Sequence, residues 1–588
     1  MAMTSLHQSR FHLLRQNGDP SSGRPVIHRL WNRTLDRYPD TAARYRYLGI
    51  VGLAAVVLYY GYYVPAAVTP DIIAHYHRSF PFFVYIVVVG NAVGAFASLF
   101  AGLADRWGRA NMVVGGLVVS SCLVAFGMPN APNLWVYAVL YAMLGFVEGV
   151  CLVAIPALVR DFSPQMGRGA AMSFYAIGPV AGALVVAEVS SHTLNHLHAW
   201  QDQFIIAGLV GLVVSVVAIL GLRELSPRLR DQLMVTLRDR ALVEAKAAGV
   251  DIDQVVAHPW RQMLHLDVIG SSIGLSVFLV MYYTIIAFFV AYMGATFGYT
   301  EQRANSLGNW MWIFNIGAVV VLGVVSDRLR VRKPFMVIGA LGTMAATVLF
   351  ALRTSHPDTG YYTFVWIMAV MAVFLGFVFV SWLAGFTETV ERRNPALIAT
   401  GLAVWGWVLR AAVSLSFLVL PFVVTSMTPL VEHGTQLQAI QARYPAEVAT
   451  LQSIDAGTAA TLASTPTNAA AVSTAVSEIS ANLHVSSATA LQRLVAVSNV
   501  ANTTAGRADL AYLQSYGPAA QKAQGVAPGE WRRWWWVGLG CQVVFLPTIF
   551  LVKGRWRPSR ARRDEEEHER LVQEELAALS TPRPGQAA

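Results

Sequence analysis

Twelve runs of roughly 20 predominantly apolar residues punctuate the chain, and nothing else in it constrains the fold as strongly. They cover roughly 48–68, 80–104, 111–128, 134–158, 170–190, 203–222, 267–293, 307–326, 334–352, 362–386, 397–425 and 534–552. A run of that length, wound as an α-helix, matches the ~30 Å hydrocarbon core of a bilayer. Its backbone polar groups then find their partners within the same helix, as a medium without water requires. Composition agrees, because 55% of the residues are hydrophobic and only 13% charged, far from the balance of a soluble globular chain. The chain reads as an all-α membrane protein with twelve transmembrane helices and the lipid bilayer as its surroundings.

The net charge of +9 raises the question of a nucleic-acid partner, and the placement of the basic residues answers it. With the N-terminus in the cytoplasm, the cytoplasmic segments hold 33 of the 43 Lys and Arg and the outer loops nine, while Arg410 alone lies within a span. That asymmetry is the positive-inside rule. It predicts both termini in the cytoplasm, makes the basicity a report of topology, and argues against nucleic-acid binding. The first 47 residues carry eight Arg and no signal-peptide cleavage pattern, so they read as a retained tail. Cys122, Cys151 and Cys541 all fall in apolar spans with no paired spacing, which supports neither a disulfide framework nor a metal site. No cofactor is expected. The high Arg and Ala content hints at a bacterial source, and hence at the bacterial cytoplasmic membrane.

Six spans, a polar stretch at 223–266 and six more spans divide the chain into halves. "FAGLADRWGRAN" (100–111), at the end of the second span, is echoed by "VLGVVSDRLRVRK" (321–333) at the end of the eighth. In both, an apolar helix runs into Asp-Arg and further basic residues, as expected of a duplicated six-span unit. The expected organisation is a tail (1–47), an N-terminal bundle (48–222), a linker (223–266), a C-terminal bundle (267–552) interrupted by an outer insert (427–532), and a second tail (553–588).

These two segments resemble the loop motif G-x-L-x-D-R-x-G-R-[RK] of the major facilitator superfamily. Leu103, Asp105, Arg106, Gly108 and Arg109 match in the first copy, with Ala101 and Ala110 departing from it; Gly323, Asp327, Arg328, Arg332 and Lys333 match in the second. The resemblance implies two pseudo-symmetric six-helix bundles and a gate latched by Asp105, Arg106, Gly108, Arg109, Asp327 and Arg328. "PALVRDFSPQMGRG" (156–169) fits the spacing P-x4-[ED]-x2-P-x3-R-G of sugar-porter-like members through Pro156, Asp161, Pro164, Arg168 and Gly169, adding Asp161 and Arg168 to the gating set. "RELSPRLR" (223–230) is similar to their E-S-P-R motif. "YAIGPVAGALVV" (175–186) partly resembles the G-P-x-x-G-G motif of drug antiporters, although close helix packing at Gly178 and Gly182 with a bend at Pro179 explains it equally.

Two charged residues at bilayer depth carry the chemistry. Glu148 lies near the middle of the fourth span, roughly 15–20 Å from its cytoplasmic end, and Arg410 lies about 20 Å deep in the eleventh. A charge there is expensive without a partner or a task. The two can pair, bind a polar substrate or relay a proton, and a permanent structural pair is the competing interpretation. The expected roles are substrate anchoring by Arg410 and proton uptake by Glu148. Asp71, past the first span, is a second proton-coupling candidate or a solvated rim charge. Asn91 and Asn315 serve as substrate contacts or helix–helix hydrogen bonds; Tyr282 and Tyr283 serve as stacking surfaces or core.

The insert 427–532 is rich in Ala, Thr and Ser, with amphipathic periodicity. A small outer helical cap is expected, with a spacer or a partner-docking segment as alternatives. The functional expectation is a secondary transporter, not an enzyme, moving a small polar or anionic metabolite by alternating access in proton symport. Drug/proton antiport is the second candidate, and a non-transporting sensor or docking protein the third.

Overall fold

A computed structural model describes residues 33–98, 108–162, 168–226 apart from 198, 229, 263–393 apart from 330 and 357, 398–559 apart from 466, and 563, 566, 567, 570 and 571. Near the start, a two-residue strand β1 (Thr34–Leu35) precedes α1 (Thr41–Ala67), whose first turn is capped by the Asp40 carboxylate accepting from the Ala43 N–H. A short α2 (Thr69–Tyr76) leads to α3 (Phe80–Ser98), followed by α4 (Arg109–Cys122), α5 (Leu134–Phe162), α6 (Arg168–Thr193) and α7 (Trp200–Gly221). Strand β2 (Glu224–Leu225) follows, and then α8 (Leu266–Phe278) and α9 (Val280–Phe297), which form one apolar run broken at Leu279. Next come α10 (Glu301–Leu329), α11 (Lys333–Arg353), α12 (Tyr361–Arg393) and α13 (Ile398–Val423). Among the described residues ten helical segments are long and apolar enough to cross a membrane, the α8–α9 run counting as one. The fifth expected span coincides with α6, and the twelfth with the end of the helix that closes the insert.

Packing repeats between the halves. In the first, α3 lies on α5, α1 on α6 and α7, and α4 on α5 and α7; in the second, α10 lies on α12, α8 on α13 and on the last long helix, and α11 on α12 and that same helix. The two bundles meet through α3 against α13 and α6 against α10, which are equivalent positions exchanged. This is the contact pattern of two pseudo-symmetric six-helix bundles.

At the face where α1 begins, β1 and β2 pair in parallel, Thr34 opposite Glu224, so the segment just ahead of α1 is clipped to the end of α7. Arg33 Nη1 reinforces the clip by donating to the Ala218 carbonyl at 3.1 Å. At the opposite face, Asn305 Nδ2 donates to the Ala67 carbonyl and Asn309 Nδ2 to Ser191 Oγ, both at 3.1 Å, joining α10 to α1 and α6 across the two bundles.

The insert consists of α14 (Met427–Arg443), α15 (Pro445–Gln452), α16 (Ala456–Ser464), α17 (Ala469–Leu483), α18 (Ser487–Ala501) and the first part of α19 (Thr504–Thr548). α14 packs on α19, and also on α2, α3 and α9, so it touches both bundles. The sequence places an end of the insert at 532, yet α19 runs unbroken through that point and ends at Thr548 rather than near 552, despite Pro518 and Pro528 within it. Trp531, Trp534 and Trp535, all buried, pin this helix; Trp531 and Trp535 pack on the Tyr292 ring, and the Trp534 indole N–H meets Thr284 Oγ1 at 3.3 Å.

Candidate functional site

Close approach of two helices prepares the site. Gly90 and Gly94 of α3 face Gly145 and Gly149 of α5 so tightly that a Cβ on Gly145 would lie 2.5 Å from the Gly90 carbonyl oxygen. Small residues at i and i+4 permit such backbone contact between membrane helices. A Cβ on Gly94 would also collide with Arg410 Nη1, so the missing side chain makes the slot through which the guanidinium of α13 reaches α5. There Arg410 Nη2 donates to Glu148 Oε2 at 2.7 Å, with the Glu148 side chain only 3% exposed. This charge-assisted bond joins the first bundle to the second at bilayer depth.

The pair opens onto a cavity of about 140 Å³ between the bundles. Its walls come from α1 (Tyr59, Tyr62, Tyr63), α3 (Phe83, Asn91), α5 (Tyr141, Glu148), α6 (Pro179), α9 (Tyr283), α12 (Phe379) and α13 (Trp405, Arg410, Phe417). Desolvating two opposite charges costs several kcal/mol per ion and leaves such a pair near break-even against hydrophobic replacements, so stability alone is a weak reason for its presence. One hydrogen-bond donor in the same wall, the Trp405 indole N–H, is buried without a partner.

The other expected positions separate into groups. Asn91 and Tyr283 line the cavity, although the Asn91 amide also donates to the Val87 carbonyl at 3.1 Å. Tyr282 lies outside the cavity lining and packs edge-on against Tyr283 and Trp312. Asn315 is spent on the Ala372 carbonyl at 2.7 Å, a bond between α10 and α12 within the second bundle and outside the cavity lining. Asp71 sits on α2 at the insert face, where burial raises its carboxyl above the ordinary range against the opposing effect of a hydrogen bond to Glu301.

At the other face, Gly108 takes φ +91°, open to a residue without Cβ, just before α4. Arg109 Nη1 pairs with Asp161 Oδ1 at 2.8 Å, and the backbone N–H of Arg109 donates to Glu224 Oε2 at 2.7 Å. Glu224 thus places a negative charge at the N-terminus of α4. Its motif "RELSPR" was the sequence signal for this residue; Trp405 had none, because aromatic residues crowd every span. Arg328 is exposed at the end of α10. Asp105 and Arg106 lie outside the described residues, and the side chains of Asp327 and Arg168 lie outside the described positions.

A membrane fold of two six-helix bundles closed around a buried charged pair defines a transport protein rather than an enzyme. A family model described as Major Facilitator Superfamily matches residues 51–416. The chain is 25% identical over 369 residues to YncC of Bacillus subtilis (strain 168), a protein named for metabolite transport, with 57% of this chain and 75% of that one covered. Its fold is similar to a bacterial homologue of the human lysosomal transporter Spinster, seen inward-facing and occupied, with TM-score 0.51, 14% identity, and 87% of this chain and 97% of the other covered. It is also similar to the proton:xylose symporter XylE of E. coli bound to 6-bromo-6-deoxy-D-glucose, with TM-score 0.51, 15% identity, and 65% and 89% covered. The chain belongs to the major facilitator superfamily and is a multi-pass membrane transporter.

Proposed function

We propose that this protein is a proton-coupled symporter of a small polar or anionic organic metabolite, working by alternating access in a bacterial cytoplasmic membrane with both termini inside. The observation that carries this reading is the Arg410–Glu148 pair, which spans the two bundles beside a cavity. Arg410 anchors the substrate. Glu148 takes up a proton as its cationic partner is withdrawn, since a buried carboxylate without a neighbouring positive charge is costly. Asp71 is a second proton-coupling position at the insert face. Asp105, Arg106, Gly108, Arg109, Asp327, Arg328, Asp161 and Arg168 form the gate on the cytoplasmic side, and the insert 427–532 offers an outer surface for a partner.

Reconstituted vesicles with an imposed pH gradient test this reading. A mixture of organic acids and sugars is supplied outside, and the internal contents are identified by mass spectrometry. Gradient-driven accumulation of a polar metabolite that disappears in Arg410→Ala is expected. Gradient-driven extrusion of apolar cations, or accumulation indifferent to the gradient, overturns it.

A further inference from the structure

The cavity specifies its ligand more narrowly than "polar or anionic". About 140 Å³ is close to the ~150 Å³ that accommodates a single benzene ring in a protein interior. Rings of Tyr63, Phe83, Tyr283, Phe379, Trp405 and Phe417 make up much of the wall, a surface that favours edge or offset contact with another ring. Two donors face the space: the Trp405 N–H has no partner, and Arg410 presents the rest of its guanidinium fork. A buried unpaired donor needs an acceptor.

We infer that the substrate is a single-ring aromatic monocarboxylate, bound by its carboxylate to Arg410 and its ring to the aromatic wall, together with one proton on Glu148. This inference rests on the symport reading above and narrows it. The charges balance as follows. In the empty site, Arg410⁺ and Glu148⁻ sum to zero. The incoming carboxylate accepts from Arg410 Nη2, the bond from Nη2 to Glu148 Oε2 breaks, and a solvent proton binds the freed Glu148 carboxylate. The loaded site is again neutral, so each turnover moves one anion with one proton and no net charge. The titratable groups facing Glu148 are Arg410 of α13, Tyr62 and Tyr63 of α1, and Tyr141 and Cys151 of its own helix. Phenols and thiols are neutral near pH 7, which leaves Glu148 as the group that titrates on loading.

The test is calorimetric binding of benzoate, cyclohexanecarboxylate, lactate and xylose to the purified full-length protein, in buffers of differing ionisation enthalpy. Benzoate binding with uptake of about one proton, weakening about tenfold per pH unit on the alkaline side, is expected. Glu148→Gln retains benzoate binding without proton uptake, and Trp405→Phe, which keeps a ring but loses the N–H, weakens it about tenfold. Cyclohexanecarboxylate binding as tightly as benzoate overturns the aromatic assignment. Lactate binding with proton uptake while benzoate fails overturns the substrate class and leaves the symport reading standing. Xylose alone binding, with no proton taken up, overturns this inference. If none of the four binds, the aromatic assignment falls as well, while the vesicle experiment still judges symport independently. Arg410→Lys accompanies these variants, because it keeps a cation beside Glu148 if Arg410→Ala fails to fold; it is expected to lose the two-pronged grip and bind benzoate more weakly.

Discussion

Among the described residues, three ion pairs between helices of the bundles are of two kinds. Arg109–Asp161 joins the start of α4 to the end of α5, and Arg332–Glu388, at 3.1 Å, joins the start of α11 to the end of α12. These are equivalent places in the two halves. Each pair stays within its own bundle, so duplication of the fold has duplicated a brace. Arg410–Glu148 has no such twin among the described residues: Arg410 comes from the second bundle and Glu148 from the first. A brace within one bundle keeps its length when the bundles rock, whereas a bond between them must lengthen or break. On the function proposed above, the repeated pairs brace each half of the cytoplasmic gate and the unrepeated one takes part in the transport cycle.

Substitutions that separate these roles follow in order of expected effect. Arg410→Ala is expected to reduce uptake by reconstituted vesicles at least about 100-fold, since losing one side of a buried hydrogen-bonded charge contact weakens binding by about 2–5 kcal/mol; size-exclusion profiles in detergent should still show a monodisperse protein. Uptake near that of the unaltered protein would class the central pair with the braces. Glu148→Gln keeps the shape and the hydrogen-bonding capacity but cannot exchange a proton. Its uptake should become indifferent to the imposed pH gradient, and a retained gradient dependence would reassign proton coupling elsewhere.

The braces should respond in stability rather than in coupling. Arg109→Ala removes the guanidinium bonded to Asp161, whose side chain is 9% exposed. A loss of about 1–3 kcal/mol is expected, read as a melting temperature lower by several degrees with the pH dependence of uptake intact. Arg332→Ala should cost less, because the Glu388 side chain is 30% exposed and water can replace the guanidinium. Equal losses from the two would deny that burial sets the difference. The smallest effect is expected at Asp71. Its folded carboxyl holds its proton above the ordinary value of 3.8, so its contribution to stability is complete below that value and is lost as pH rises through the raised one. Asp71→Asn should flatten this part of the pH–stability curve, and an unchanged slope would assign it to another group.

Much of this architecture was legible in the chain because a bilayer forces its dimensions on sequence. Runs of spanning length locate the helices, and the Asp-Arg echoes at 105–106 and 327–328 reveal the duplication. The central pair was legible for a related reason, since Glu148 and Arg410 interrupt otherwise apolar spans at matching depth. Direction around a helix is harder to read. Asn315 and Tyr282 have the right chemistry and depth, yet Asn315 turns toward α12 and Tyr282 toward Trp312. The end of the insert was hidden for another reason: Pro518 and Pro528 suggest a helix boundary, but α19 continues past both and is seated just beyond them by Trp531, Trp534 and Trp535, buried within little more than one turn. Trp405 became visible only when three-dimensional packing showed its donor left without a partner.

Whether Glu148 changes partner on loading is read by infrared difference spectroscopy, recorded on the purified protein as a transported ligand is added at constant pH. The carbonyl-stretch band of a protonated carboxylic acid should appear on loading and be missing from Glu148→Gln, marking the moment Arg410 leaves its partner for the substrate. Loading and transport with no such band, and with the carboxylate signal of Glu148 unchanged, would contradict it.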